Sequence, residues 1–245
     1  TTAPTDAGEY TVSLTSKGIG KIKAANAANL DWSNVTINEN ASYTINKAQA
    51  TVNFDNPASQ TVEYGKNTFD ANNFKPIIST NNQVTVNIPE GVTLSADAGD
   101  FEFTAANGDK TTTVPTELGT YTVTLSENGF KKLQSQTNNY NWINAASGTY
   151  TVNKATNISV ILDGHQEVTY TGNTFTNSDI NVDDYQVVLG NGQTYKLVAG
   201  DLEFVSSQNP TNVGSYKVQL SAQGKENIAK IGATHYSYNF DNTGT

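Results

Sequence analysis

Residues 115–133 read PTELGTYTVTLSENGFKKL, and they change period half-way. Tyr121, Val123 and Leu125 fall on one face of an extended chain, with Thr120, Thr122 and Thr124 on the other. From Leu125 the apolar spacing becomes four: Leu125, Gly129 and Leu133 share one face of a helix. A half-buried strand therefore feeds a helix, expected over residues 127–138. The Pro-Thr-x-x-Gly lead-in reads as a turn, in which Pro fixes φ and Gly admits a conformation denied to other side chains.

The phrase occurs three times. PTDAGEYTVSL starts at Pro4 and PTNVGSYKVQL at Pro210, each continued at the same spacing by Leu14, Gly18 and Ile22 or by Leu220, Gly224 and Ile228. A glycine early in a helix costs about 1 kcal/mol relative to Ala, so Gly18, Gly129 and Gly224 weaken the helical expectation. Downstream comes an Asn-rich bend ending in aromatics: NLDW to Trp32, NYNW to Trp142 and HYSYNF to Phe240. A closing strand follows twice, ASYTINKA from Ala41 and SGTYTVNKA from Ser147. Upstream, VEYGKNTF from Val62 matches VTYTGNTF from Val168, and AGDFEF from Ala98 matches AGDLEF from Ala199.

These matches divide the chain into the back half of a repeat at 1–48, a complete repeat at 49–155, and a third at 156–245 without its closing strand. Edges that fall inside repeats suggest a piece of a longer tandem array. Within 49–155, strands are expected at 50–54, 60–64, 83–88, 101–104, 110–114, 119–125 and 150–153. LGNGQTY from Leu189 signals a hairpin with both central residues at positive φ. The expected fold is β-rich α+β: tandem small domains, each a mixed sheet with one crossing helix, β-grasp-like. Immunoglobulin-like β-sandwich repeats are the alternative. The half repeat would present unpaired strand edges, which invite a neighbouring copy.

Composition narrows the function. All 14 basic residues are Lys and the net charge is −9, so the chain lacks the forked donors and the basic surface of a nucleic-acid binder. There is no Cys, hence no disulfide or thiolate metal site. No apolar run of about eighteen residues suggests membrane insertion. His165 and His235 are the only histidines and have no counterpart in the complete repeat, which argues against a Ser/His/Asp site and against zinc; no cofactor is expected.

Four groups remain. Asp97, Asp100 and Glu102, with Asp201 and Glu203 in the third repeat, are the best acidic pairs. At strand spacing Asp100 and Glu102 share a face, so the plain reading is a solvated face and the sharper one a calcium site. Trp32 and Trp142 sit beside amides and acids, with Asn139, Tyr140 and Asn141 adjoining the second. That combination suits a sugar ring, although a Trp at a helix exit is also an ordinary lid on a core. Lys47 and Lys154 end the closing strands at the repeat junctions, as linker charges or as isopeptide donors.

The joint pattern PT-x-x-G-x-Y-x-V-x-L, L-x-x-x-G-x-x-x-[IL], NY, GTYTVNKA and Y-G-x-x-F resembles the MBG repeats of lactic acid bacterial cell-surface adhesins, across essentially the whole chain. The third repeat departs from it with YTG for YG and a shorter middle. The resemblance implies a non-enzymatic segment displayed extracellularly on the cell wall, binding mucin or another host glycoprotein or glycan. A structural stalk is the alternative.

Overall fold

The computed structural model describes residues 2–25, 28–37, 41–66, 68–80, 85–86, 88, 91–134, 138–205 and 209–241. In the first copy of the repeat, strand β1 (Gly8–Val12) and helix α1 (Ser16–Ala25) precede β2 (Ala41–Ile45). The second copy runs β3 (Ala48–Phe54), β4 (Ser59–Glu63), β5 (Pro76–Thr80), β6 (Thr85–Val86), β7 (Phe101–Thr104), β8 (Lys110–Thr111), β9 (Gly119–Leu125), α2 (Glu127–Gln134), β10 (Tyr140–Asn144) and β11 (Gly148–Asn153). The third has β12 (Ala155–Gly164), β13 (Tyr185–Leu189), β14 (Thr194–Tyr195), β15 (Leu202–Phe204), β16 (Val218–Leu220), α3 (Ala222–Ala229) and β17 (Tyr236–Asn239). The fold is β-rich α+β with one α-helix per copy among the described residues, as the change of period in the repeated phrase predicts.

Two four-stranded sheets correspond strand for strand: β10-β3-β5-β6 and β17-β12-β13-β14. Both are mixed, since β10 runs parallel to β3, and β17 to β12, while the other pairings are antiparallel. Strands β4, β11, β9, β7 and β8 form a five-stranded sheet in that order; β1-β2 and β15-β16 are two-stranded.

The chain divides into two compact units, interleaved in sequence. The first comprises residues 1–59, 70–103 and 122–148. Its core holds Val52, Phe54, Phe74, Ile78, Phe101, Phe103, Val123, Leu125 and Leu133. Phe54 meets Phe74 edge-on at 5.7 Å between ring centroids, and Phe101 lies within 6.4 Å of both. The second unit comprises residues 60–69, 104–121 and 149–245. One cluster in it gathers Val160, Leu162, Val187, Leu189, Leu202, Val218, Leu220 and Ile228 under α3 and the β12 sheet.

Strand length along the repeated phrase follows the neighbours available. β9 is hydrogen-bonded on both edges and runs the full seven residues. β1 has only the closing strand β2 and stops at Val12, while β16 has only β15 and starts at Val218. Apolar cover follows the same rule. Val123, Leu125 and Leu133 are at most 4% exposed, whereas their first-copy counterparts Val12, Leu14 and Ile22 are 47%, 41% and 39% exposed. A strand edge and an apolar face need partners, and among the described residues β1 pairs with β2 alone.

Several local expectations differ from the structure. The strand at 110–114 shortens to Lys110–Thr111, and residues 76–80, unassigned from sequence, form β5. Residues 83–84, 87 and 135–137, at the ends of an expected strand and helix, lie outside the described residues. The LGNGQTY hairpin forms, but only Gly192 has positive φ, at 84°. The turn closes through Gly192 N to Leu189 O and Leu189 N to Gln193 O, a longer loop than a two-residue turn, so Asn191 need not be left-handed.

Candidate functional site

The acidic group is internal. Asp100 is fully buried, so the solvated face expected for it is overturned: it stands just before β7, in which Phe101 and Phe103 are buried with alternation intact. Glu102 is half-buried and Asp97 exposed. The Asp100 carboxylate accepts from Ser95 N at 2.8 Å, Asn128 Nδ2 at 2.8 Å and Lys132 Nζ at 2.7 Å. Asp201, also fully buried, accepts from Tyr195 Oη at 2.8 Å, Val198 N at 2.8 Å and Asn227 Nδ2 at 2.9 Å. Each carboxylate spends its lone pairs on donors that tie a loop to the following helix. Among the described residues no group of three His, Asp or Glu stands together as metal ligands.

The same two sites account for the glycines early in the helices. Ser126 N donates to Asp100 O at 2.9 Å, and its hydroxyl donates to Gly99 O at 2.6 Å while accepting from Gly129 N at 3.1 Å. Ser221 repeats these contacts with Asp201, Gly200 and Gly224 at 2.8, 2.6 and 3.1 Å. A Cβ on Gly129 would lie 2.2 Å from Asp100 O, and one on Gly224 2.3 Å from Asp201 O. These glycines let the aspartate backbone approach the helix, so the helix forms in spite of them. Gly18 keeps the cap, its N–H donating to Thr15 Oγ1 at 3.1 Å, but an added Cβ there meets nothing closer than 3.5 Å. Sequence reasoning missed Ser126, Asn128 and Lys132; the signal was the joint recurrence of AGD and Leu-Ser/Thr-x-x-Gly.

The tyrosine of the repeated phrase is equally structural. Tyr10, Tyr121 and Tyr216 each donate a hydroxyl to the carbonyl four residues back, Asp6 O at 2.7 Å, Glu117 O at 3.0 Å and Asn212 O at 2.9 Å. Each bond locks the Pro-Thr turn to the strand that follows.

The two tryptophans are placed differently. Trp32 opens a single 3-10 turn, Trp32–Asn34, capped by Asp31, whose carboxylate accepts from Ser33 N at 2.9 Å; hydrogen bonding from the Ser33 hydroxyl, and then from its N–H, lowers the Asp31 pKa from its ordinary value. Trp142 lies in β10, its ring 5.6 Å from that of Tyr140, edge to face. Both indole rings are half-buried, with the indole N–H shielded from water and unpartnered. β17 carries the matching pair Tyr236 and Tyr238, continued by Phe240 just beyond the strand, at centroid spacings of 6.4 and 6.5 Å. Tyr140 and Tyr236 occupy equal positions, opposite Ala48 and Ala155. Asn141 is exposed, whereas Asn139 is engaged: its Nδ2 donates to Asp6 Oδ1 at 2.8 Å and its Oδ1 accepts from Ala7 N at 2.7 Å. Lys47 is exposed and Lys154 half-buried, each next to the first residue of the following strand.

A groove of about 540 Å³ opens in the third copy, between residues 164–170 and 210–218. His165, in its lining, lies 3.3 Å from Glu167, while His235 lies 3.4 Å from Glu117 and 2.9 Å from Thr234 Oγ1.

Comparison with known proteins matches this arrangement to a family. The MBG domain family matches residues 1–47, 51–154 and 157–245. Among solved structures, a cell surface adhesin from Lactobacillus reuteri aligns at 22% identity over 43% of this chain and 95% of its own, with a TM-score of 0.26. No curated protein matches. With all three copies of the repeat matched, the chain belongs to the MBG domain family.

Proposed function

We propose that the chain is a non-enzymatic adhesion segment of the bacterial cell surface, organised as repeats at 1–48, 49–155 and 156–245. It contacts mucin or another host glycoprotein weakly at each repeat. The observation that supports this reading is the aromatic ridge repeated on matching edge strands, Tyr140 with Trp142 on β10 and Tyr236 with Tyr238 on β17. Half-buried rings on a strand edge, flanked by the exposed amide of Asn141, offer a sugar an apolar face beside hydrogen-bonding groups. Single contacts of this kind are weak; several on one stalk gain through effective concentration.

The test is binding of the full chain, at high surface density, to immobilised mucin and a glycan array. Comparison is with Trp142→Ala, Tyr238→Ala and the double variant, each checked for native circular dichroism. Loss of each ridge should reduce avid binding severalfold, and loss of both should reduce it about tenfold or more. Equal binding by all four proteins, or none by the parent, ends the reading. The second reading, a stalk that spaces another domain, is favoured by Asn139: its amide is committed to Asp6 and Ala7 rather than offered to a ligand.

A further inference from the structure

Asparagine precedes glycine three times in this chain, at Asn107, Asn128 and Asn191. A glycine has no side chain to shield its backbone nitrogen, which can therefore reach the carboxamide of the asparagine before it. The fold gives the three steps different fates. Asn128 lies in α2, where Gly129 is buried and its N–H donates to Ser126 Oγ at 3.1 Å. The Asn128 amide donates to the fully buried Asp100 carboxylate at 2.8 Å. Attack there requires the helix to leave its cap and a buried carboxylate to lose a donor. Asn107 and Asn191 instead stand in turns of one geometry. Gly108 N donates to Ala105 O and Gly192 N to Leu189 O, both at 2.9 Å, and the two glycines have φ of 91° and 84°. Each asparagine oxygen accepts from the N–H two residues on, Asp109 at 3.1 Å or Gln193 at 3.0 Å. The turns differ in exposure and in what holds the amide nitrogen. Asn107 is exposed, as are residues 106 and 108–110, and its Nδ2 donates to the Asp109 carboxylate at 2.6 Å. Asn191 is half-buried, and its Nδ2 meets the neutral Gln193 carboxamide at 3.0 Å.

We propose that Asn107 is a site of spontaneous covalent modification, deamidation through a cyclic imide, and that the change unlocks the turn between β7 and β8. The Gly108 nitrogen loses its proton to solvent and bonds to Asn107 Cγ. The Cγ–Nδ2 bond breaks, and that nitrogen takes a proton back and leaves as ammonia. Water then opens the imide at one of its two carbonyls, giving either aspartate or an isoaspartate whose chain runs through the side-chain carboxyl. One water is consumed, one ammonia is released, and nothing is oxidised or reduced. An exposed turn opens locally at low cost, so Gly108 N is freed far more often than the buried Gly129 N. Asp109 gives the change its effect. The bond from Nδ2 to its carboxylate is replaced by two like charges across the same turn. At Asn191 the new carboxylate would face Gln193, whose carboxamide can turn its NH2 toward it.

Peptide mapping by mass spectrometry, on the full chain held in mildly alkaline buffer over a time series, reads all three steps in one sample. The same chain in urea is the control. In the folded chain the acid should accumulate first at Asn107, severalfold more slowly at Asn191, and about tenfold or more slowly at Asn128. In urea the three rates should converge. Folded rates that keep the urea ratios, Asn128 reacting as fast as Asn107, or an Asn107 that stays an amide while the urea sample reacts, each overturn the assignment. Asn107→Asp reproduces the aspartate product directly. Its Ala105 N–H, which donates to Asp109 O at 2.8 Å in the parent, should exchange hydrogen about tenfold faster. Asn191→Asp should leave the exchange of Leu189 N–H, bonded to Gln193 O at 2.8 Å, unchanged. Unaltered protection at Ala105, or equal loosening of both turns, overturns the role given to Asp109.

Discussion

The amide of Asn139 bridges to Asp6, 133 residues earlier, donating to its carboxylate at 2.8 Å while its own carbonyl takes the N–H of Ala7 at 2.7 Å. His235 stands at the position of Asn139 in the next copy, and Glu117 at the position of Asp6; their side chains meet at 3.4 Å. The backbone carbonyls of Asn139 and His235 accept from Ala48 N and Ala155 N, each at 3.0 Å. The residue before each aromatic strand therefore clasps the acidic position of the Pro-Thr phrase of the preceding copy. Repeat proteins gain stability from such nearest-neighbour terms.

Replacing Asn139 by Ala removes both side-chain bonds and releases the Ala7 amide. A neutral hydrogen bond is worth about 1 kcal/mol net, and one to a charged group about 1.5–3 kcal/mol. The Ala7 amide should therefore exchange its hydrogen at least tenfold faster in the variant, with little change in the core strands. Hydrogen exchange resolved by residue checks this, and unchanged protection at Ala7 would refute the clasp.

Glycine-to-alanine substitutions at the three matched helix positions should differ in sign. At Gly18 nothing lies closer than 3.5 Å to the new methyl, so the usual helix preference applies and the change stabilises by about 0.5–1 kcal/mol. At Gly129 and Gly224 the methyl would sit 2.2 or 2.3 Å from an aspartate carbonyl oxygen, and the helix must move off its cap. A cost of about 2–4 kcal/mol follows, comparable with other overpacked or uncapped sites. Thermal and denaturant unfolding of the three single variants measures this. Equal effects at all three positions would contradict the packing argument.

At buried Asp100, the two partners of the ion pair with Lys132 are not equivalent. Asp100→Ala strands three donors that the carboxylate now satisfies and should cost about 3–5 kcal/mol. Lys132→Met should cost only about 1 kcal/mol, because the Lys132 side chain is 37% exposed and two donors remain on the carboxylate. The ratio of the two losses in urea unfolding is the readout; parity would mean that the ion pair itself dominates.

Much of this was readable from local pattern. The period change at Leu125 located β9 and α2, and the alternation of AGDFEF located β7. What escaped was set by long-range pairing. The Asn-rich bend at 139–142 becomes strand β10 only because β3 offers it a parallel edge, and no local residue preference announces that. Asp100 read as solvated because its partners Asn128 and Lys132 lie 28 and 32 residues on, beyond any window of periodicity. The glycines misled for the same reason: a propensity scale prices Gly129 against solvent, whereas its real neighbour is the carbonyl of Asp100.

Tyr195 gives the third copy an alkaline limit. Burial pushes its hydroxyl up to about 12, helped by the bond it donates to Asp201 and by the charge of that carboxylate. Burial likewise raises Tyr185 and Tyr238. A phenol whose folded value lies above its ordinary value of 10 favours the protonated form in the native state. Its stabilisation is therefore complete below pH 10 and disappears as the pH rises toward 12. Unfolding free energy should decline steeply across that window. Tyr195→Phe should lose about 2 kcal/mol at pH 8, where the hydroxyl is needed by Asp201, yet show a shallower decline above pH 10. Its absorbance titration near 295 nm should also lack the last tyrosinate step. Parallel decline in the two proteins would show that the Tyr195–Asp201 bond contributes nothing to the pH dependence.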